Sequence, residues 1–203
     1  MLSLGLKVLI IKHRINSIKE LKTTPIDFGV EIDVRSEKKE LILSHDPFKP
    51  GDKLKDWLKS FKHKFIVFNI KEEGIEVELF RLIKEYNIKN FFLLDQSFSF
   101  YIKTLNIYGK YSSNRISDYE NLARVLMLRE HTKWVWVDYF KNFPLKITDI
   151  KKLKKLKFKL CIVSPELLNH STVDTKIELI KGIFNQAKEK IDMVCTKNEK
   201  FWI

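Results

Sequence analysis

At 203 residues, with 44% hydrophobic and 32% charged residues, the chain has the balance of one folded domain with a sizeable core, not that of a disordered protein. No apolar run approaches the roughly 18–20 residues of a membrane span, and the short apolar start, interrupted by Lys7, reads as a buried strand rather than a signal peptide, so a cytoplasmic location is expected. The net charge of +12 comes mostly from scattered lysines, which argues against a specific nucleic-acid site and favours small phosphorylated substrates, with weak contact to anionic membrane surfaces as a further expectation.

Apolar runs of strand character fall at 7–13, 28–35, 64–71, 90–97, 110–117, 134–140, 159–165 and 191–197, the fifth being the weakest. "LILSHDP" (41–47) adds an extra strand or extended loop after the second. Helical spacing fills the gaps at 74–86, at 118–131 with Asp118 as N-cap, and at 175–190. The lysine-rich run 151–160 reads as a solvated helix leading into a strand. Cys161 and Cys195 lie in strand-like runs and are expected to be inert core thiols, neighbours in the fold.

Strands alternating with helices over this length predict an α/β chain forming a compact (β/α)8 barrel of the TIM type, one domain over 1–203. A doubly wound open sheet is the alternative, but no Gly-rich phosphate loop follows the first strand. Barrel sites lie at the C-terminal strand ends, and there the apolar runs turn polar: His13, Glu31, Asp33, Asn69, Lys71, Asp95, Arg115, Asp138, Ser164, Thr196 and Lys197.

Residues two apart on a strand share a face, so Glu31 and Asp33 project together while Val30, Ile32 and Val34 face the helices. Two adjacent carboxylates repel unless a cation joins them, and oxygen ligands suit Mg²⁺ or Ca²⁺. The alternative is that Glu31 is ion-paired with a nearby Arg14 or Arg35. His13 and His45 flank this pair and suit general acid and base roles; His63, His131 and His170 have no such company and read as surface residues. Lys71 and Arg14 are candidates to hold a phosphate oxygen. Trp134, Trp136 and Asp138 share one face: either Trp136 lines a pocket and Asp138 meets a hydroxyl or the metal, or the tryptophans fill core and Asp138 caps a turn. Arg115 is a candidate second phosphate ligand.

Taken in order, His13-Arg14, Glu31-x-Asp33, His45-Asp46, "FNIK" ending in Lys71 and the Asp192-x-x-x-Thr196 ending resemble the glycerophosphodiester phosphodiesterase family of phospholipase C-like barrels. The resemblance implies a metal-dependent barrel that hydrolyses a phosphodiester with the two histidines as acid and base. It further implies Asn69 as the third metal position, where the family carries Glu; Ile15 stands where the family has Gly after His-Arg. Glu72 or Asp95 would be available to assist the metal. The alternative function is a barrel that binds a phosphorylated ligand without turnover, its metal site weakened at Asn69.

Overall fold

The structure is a computed structural model and describes residues 8–168 and 170–203. In chain order the elements are β1 (Leu9–Lys12), α1 (Ile18–Thr23), β2 (Gly29–Glu37), β3 (Glu40–Leu43), β4 (Asp52–Lys53), α2 (Leu54–Ser60), β5 (Phe65–Ile70), α3 (Glu76–Glu85), β6 (Phe91–Leu94), α4 (Phe98–Lys103), α5 (Leu105–Tyr108), β7 (Ser113–Ile116), α6 (Leu122–Met127), β8 (Trp134–Val137), α7 (Ile147–Lys155), β9 (Lys159–Val163), α8 (Val173–Ala187) and β10 (Met193–Thr196). Each of the eight expected strands has its counterpart, and the extra one is β3. Lys7, the first residue of the expected run 7–13, lies outside the described residues. The chain is a mixed α/β fold in two compact units, one of residues 11–113 and one of residues up to Ile10 with 114–203, divided within β1.

In the 11–113 unit, β1, β2, β5 and β6 run parallel, with Ile11 beside Gly29, Gly29 beside Phe65 and Ile66 beside Phe91. Only glycine fits where the first three strands converge: a Cβ on Gly29 would lie 2.5 Å from Ile11 Cδ1 and 2.9 Å from Phe65 Cβ. Strand β2 outruns β5, and its last residues pair antiparallel with β3, from Val34–Leu43 to Glu37–Glu40. The next loop returns so closely that a Cβ on Gly51 would lie 2.0 Å from the Leu43 carbonyl oxygen. Val30, Ile32 and Val34 pack with Leu54, Trp57, Leu79 and Leu82 of the helices, so the pleat turns Glu31 and Asp33 to the other face. A capping box in which Ser17 and Glu20 satisfy each other's backbone N–H starts α1.

In the other unit, β8, β9 and β10 are parallel, with Trp134 beside Lys159 and Met193 beside Cys161. Cys161 and Cys195 are buried on neighbouring strands. Helix α7 buries Ile150 and Leu153 and exposes Lys151, Lys152 and Lys155, the solvated face expected of the lysine run. The N-cap expected at Asp118 falls instead at Asn121, whose side chain accepts the Arg124 N–H. Asp118 is engaged elsewhere, accepting the backbone N–H groups of Lys141 and Asn142 at 3.0 and 2.8 Å.

The expectation that His63 is a surface residue is overturned. It is 8% exposed, stacks on Phe61, and its Nε2–H donates to the Thr24 carbonyl at 3.0 Å. His131 and His170 are half-buried, and His170 bonds the Tyr139 carbonyl. Among the described residues no helix is long and apolar enough to cross a membrane.

Candidate active site

Seven of the expected site residues, His13, Arg14, Glu31, Asp33, His45, Asn69 and Lys71, belong to the 11–113 unit and converge at the C-terminal ends of β1, β2 and β5. The register explains part of this, because Asp33 stands directly beside Asn69. Another part is a backbone bend: Arg14 takes a left-handed φ of 55° just after β1, and its N–H donates to Glu31 Oε2 at 2.8 Å. Glu31 Oε1 accepts the Asn69 amide at 2.9 Å. His13 Nε2 stands 3.9 Å from Glu31 Oε2.

Glu31 and Asp33 are 1% and 0% exposed. Burial first, and then the charge of Asp33, push the Glu31 carboxyl up to about 7, against the pull of its bonds to Asn69 and the Arg14 N–H. Asp33 is held by Asn16, whose amide donates to Oδ2 at 2.8 Å and whose carbonyl oxygen accepts the Asp33 N–H at 2.8 Å. The Lys71 ammonium stands 3.3 Å from Asp33 Oδ1, and Arg14 Nε 3.9 Å from Oδ2. The alternative of Glu31 ion-paired with Arg14 or Arg35 is not what the structure shows: Arg14 and Lys71 stand against Asp33, and Arg35 is engaged with main-chain carbonyls. Two buried oxygens, Asp33 Oδ1 and Asn69 Oδ1, accept no hydrogen bond.

Arg14 Nη2 donates to His45 Nε2 at 2.7 Å. A guanidinium only donates, so Nε2 carries the lone pair and Nδ1–H donates to Asp46 Oδ1 at 2.8 Å. His45 and Asp46 thus form a dyad with its basic nitrogen facing a cation. The bond from His45 holds the Asp46 carboxyl below the usual range.

Two residues with no assigned site role hold this arrangement. Arg35 donates from Nε and Nη2 to the His45 carbonyl at 3.3 and 3.1 Å, and from Nη1 to the Lys71 carbonyl at 3.1 Å, clamping two candidate catalytic residues by their main chain. Asn16 does the same for Asp33. Their only sequence signal is polarity beside a motif, because the partners of Arg35 lie 10 and 36 residues away. Glu72 is committed to the Ser36 N–H and hydroxyl, and Asp95 is exposed.

In the other unit, Arg115 bonds the buried Asp138 and stands 3.6 Å from Glu120. Trp136 is buried on β8 and Trp134 half-buried. Ser164 and Thr196 both donate to Glu166, in the short turn after β9, and the Lys197 N–H donates to it at 3.3 Å. Asp192 accepts the Leu160 N–H at 2.7 Å and pairs with Lys154, so it secures strand starts.

Among the described residues no group of three or more His, Cys, Asp or Glu side chains is placed to hold a metal ion. The strand-end set falls short by one charged ligand, at Asn69. The ligand atoms that are present nonetheless suit a hard cation: two packed carboxylates that repel each other, and the buried Asn69 Oδ1, which accepts no hydrogen bond.

No family model matches the chain, and no curated protein does. Solved structures do. A glycerophosphodiester phosphodiesterase from Agrobacterium tumefaciens superposes with a TM-score of 0.67 at 11% identity, over 96% of this chain and 98% of that one. A glycerophosphoryl diester phosphodiesterase from Parabacteroides distasonis gives 0.63 at 16%, over 95% and 84%. An Oleispira antarctica phosphodiesterase in complex with the product sn-glycerol-3-phosphate gives 0.69 at 13%, over 95% and 94%. At these identities the likeness establishes the fold, and the fold of this chain is that of the glycerophosphodiester phosphodiesterases.

Proposed function

We propose that the protein is a metal-dependent phosphodiester hydrolase acting on a glycerophosphodiester or a related lipid- or sugar-linked diester, the 203 residues working together as one (β/α)8 barrel. The observation that carries this is the His45–Asp46 dyad, whose basic Nε2 faces the Arg14 guanidinium beside the buried Glu31–Asp33 pair. Binding a phosphate would need the cations alone; a tautomer fixed by a carboxylate is what proton transfer needs.

In this reading the phosphodiester draws Arg14 and Lys71 onto its oxygens. That movement frees His45 Nε2 to take a proton from the attacking hydroxyl, of water or of the substrate itself. The imidazolium that forms is stabilised by Asp46. His13, beside Glu31, returns a proton to the leaving alcohol oxygen. Glu31, Asp33 and the carbonyl oxygen of Asn69 would hold Mg²⁺ or Ca²⁺, which as a Lewis acid offsets the charge growing on the phosphoryl oxygens.

The test is alcohol release from a panel of glycerophosphodiesters, lysophospholipids and sugar-linked diesters, after chelation and again with Mg²⁺, Ca²⁺ or Mn²⁺ restored. Turnover should return with metal, and His13→Ala and His45→Ala should each lower it by about 10²- to 10⁴-fold. Tight binding of a phosphorylated ligand without turnover, unchanged by either substitution, would establish instead a binding barrel whose metal site is weakened at Asn69.

A further inference from the structure

The loop from His45 to Gly51 carries a feature that the proposed chemistry does not use. Phe48, three residues from His45, is 104% exposed and holds a left-handed φ of 60°. A single exposed apolar side chain is ordinary, but a bulky ring in a left-handed backbone is an outlier that the surrounding structure must impose. Here it does. Arg35 holds the His45 carbonyl, the Ser44 hydroxyl donates to the Asp46 carbonyl at 3.0 Å, the Ile18 N–H donates to Asp52 Oδ2 at 2.7 Å, and Gly51 is pressed onto the Leu43 carbonyl. Pro47 and Pro50 stiffen both sides of the tip. The base of the loop is fixed and the ring is held out into water.

Cations accompany the ring. Lys49 is exposed, and the Arg14 side chain is 42% exposed at the same strand ends. Phe98, in the first turn after β6, adds a second exposed ring at the C-terminal end of the parallel strands of this unit. An exposed ring beside a lysine on a projecting tip, with further cations and a second ring at the same strand ends, is the chemistry of a lipid–water interface: the ring enters the headgroup boundary while the cations meet anionic headgroups.

We propose that the loop 45–51 seats the candidate site on an anionic phospholipid surface, with Phe48 as the inserted anchor, so that the diester it receives is a lipid headgroup. The substrate clause rests on the phosphodiesterase reading; the docking does not.

The test is binding of the full chain to vesicles of phosphatidylcholine and phosphatidylserine in equal amounts, read by co-sedimentation, alongside phosphatidylcholine alone. Phe48→Gly removes the ring and suits the left-handed backbone, so its thermal melt should match or exceed that of the parent. Its vesicle affinity should fall by about 10- to 100-fold, the worth of burying one phenylalanine. Phe48→Trp should shift its emission to the blue on the mixed vesicles and be quenched by brominated acyl chains. A parent that does not sediment overturns the proposal, and so does a Phe48→Gly chain that binds as well as the parent, since charge alone would then account for retention. Sedimentation reads docking alone, so docking together with no turnover across the diester panel would uphold the docking while overturning the phosphodiesterase reading and the substrate clause with it, and hydrolysis of soluble diesters without docking would do the reverse.

Discussion

Glu31 and Glu166 both serve polar strand ends, yet they end in opposite states. Around Glu166, two hydroxyls and a backbone N–H supply the donors a carboxylate needs. Around Glu31 each oxygen has one donor, but a second carboxylate, Asp33, shares the buried face, Glu31 is pushed up to about 7, Asp33 Oδ1 meets Lys71 only as an ion pair at 3.3 Å, and Asn69 Oδ1 is left without a hydrogen bond. Folding alone favours the first arrangement, because an unsatisfied buried polar atom costs about 1–3 kcal/mol. The second is tolerated in part because Lys71 and Arg14 bring positive charge to Asp33, and a bound cation would offset the repulsion that remains. The contrast separates a polar cluster that holds strands together from one that, in the proposed reading, receives a metal ion.

The sharpest way to break this contrast is to neutralise a carboxylate on each side. Asp33→Asn should lower metal-restored turnover by about 100-fold or more, since it removes a ligand and the anchor of Lys71. Its melting temperature without metal should change little, because relief of the repulsion with Glu31 is offset by loss of the ion pair with Lys71. Glu166→Gln should do the opposite, destabilising the fold by about 1–3 kcal/mol while turnover per folded molecule stays within a few-fold. Equal activity losses in the two variants would erase the distinction.

Arg35 tests whether the site depends on positioning as well as on its reacting groups. Arg35→Ala should lower kcat by about 10- to 100-fold with a small change in KM, because misplacing His45 and Lys71 affects the transition state more than capture of the diester. Arg35→Lys, which cannot reach both carbonyls with a planar fork, should recover only part of it. A KM rise with kcat intact would place Arg35 on the substrate instead.

Asn69→Asp sharpens the same comparison from the other side. A third charged oxygen should lower the Mg²⁺ or Ca²⁺ concentration for half-maximal activity by about 10-fold, measurable also by calorimetric titration. Without metal the variant should melt earlier than the parent, since it adds a negative charge beside Glu31, and metal should restore the loss.

The fold was legible where burial is continuous along the chain. The runs around Ile32, Phe68 and Val194 could be little other than strands, and Glu31 with Asp33 stood out because a buried strand face has no use for paired carboxylates. What escaped depends on partners distant in sequence. Asp118 has the chemistry of a cap, but Lys141 and Asn142 take it, and Asn121 starts α6 instead. Arg35 and Asn16 are unremarkable in sequence, since their worth lies in carbonyls and a carboxylate that only the folded register brings near. The charge count hid the uneven satisfaction of the two carboxylate clusters, because it says nothing of which donors point where.

The smallest expected effect concerns His63, which sequence reading left on the surface. Its Nε2–H bonds the Thr24 carbonyl and burial holds its pKa below the ordinary 6.5. The folded chain therefore prefers the neutral ring. As pH falls below about 6.5 the unfolded chain takes up a proton that the folded one refuses, so the stability present above that value is progressively lost until pH passes the folded pKa. Because Glu31, pushed up to about 7, takes up a proton over the same range and stabilises the folded chain as pH falls, the His63 effect is read as a difference: by urea denaturation His63→Gln, which keeps a donor for Thr24 but cannot titrate, should gain stability relative to the parent between pH 7.5 and 5.5. The loss belongs to the same unit as the candidate site but to a different device, the packing of the segment between α2 and β5. A metal that binds at Glu31 and Asp33 should raise the parent's stability and that of His63→Gln by the same amount at pH 7.5. An unequal gain would mean that the two buried sites are coupled, and that the repulsion between Glu31 and Asp33 reaches further into the fold than their hydrogen bonds show.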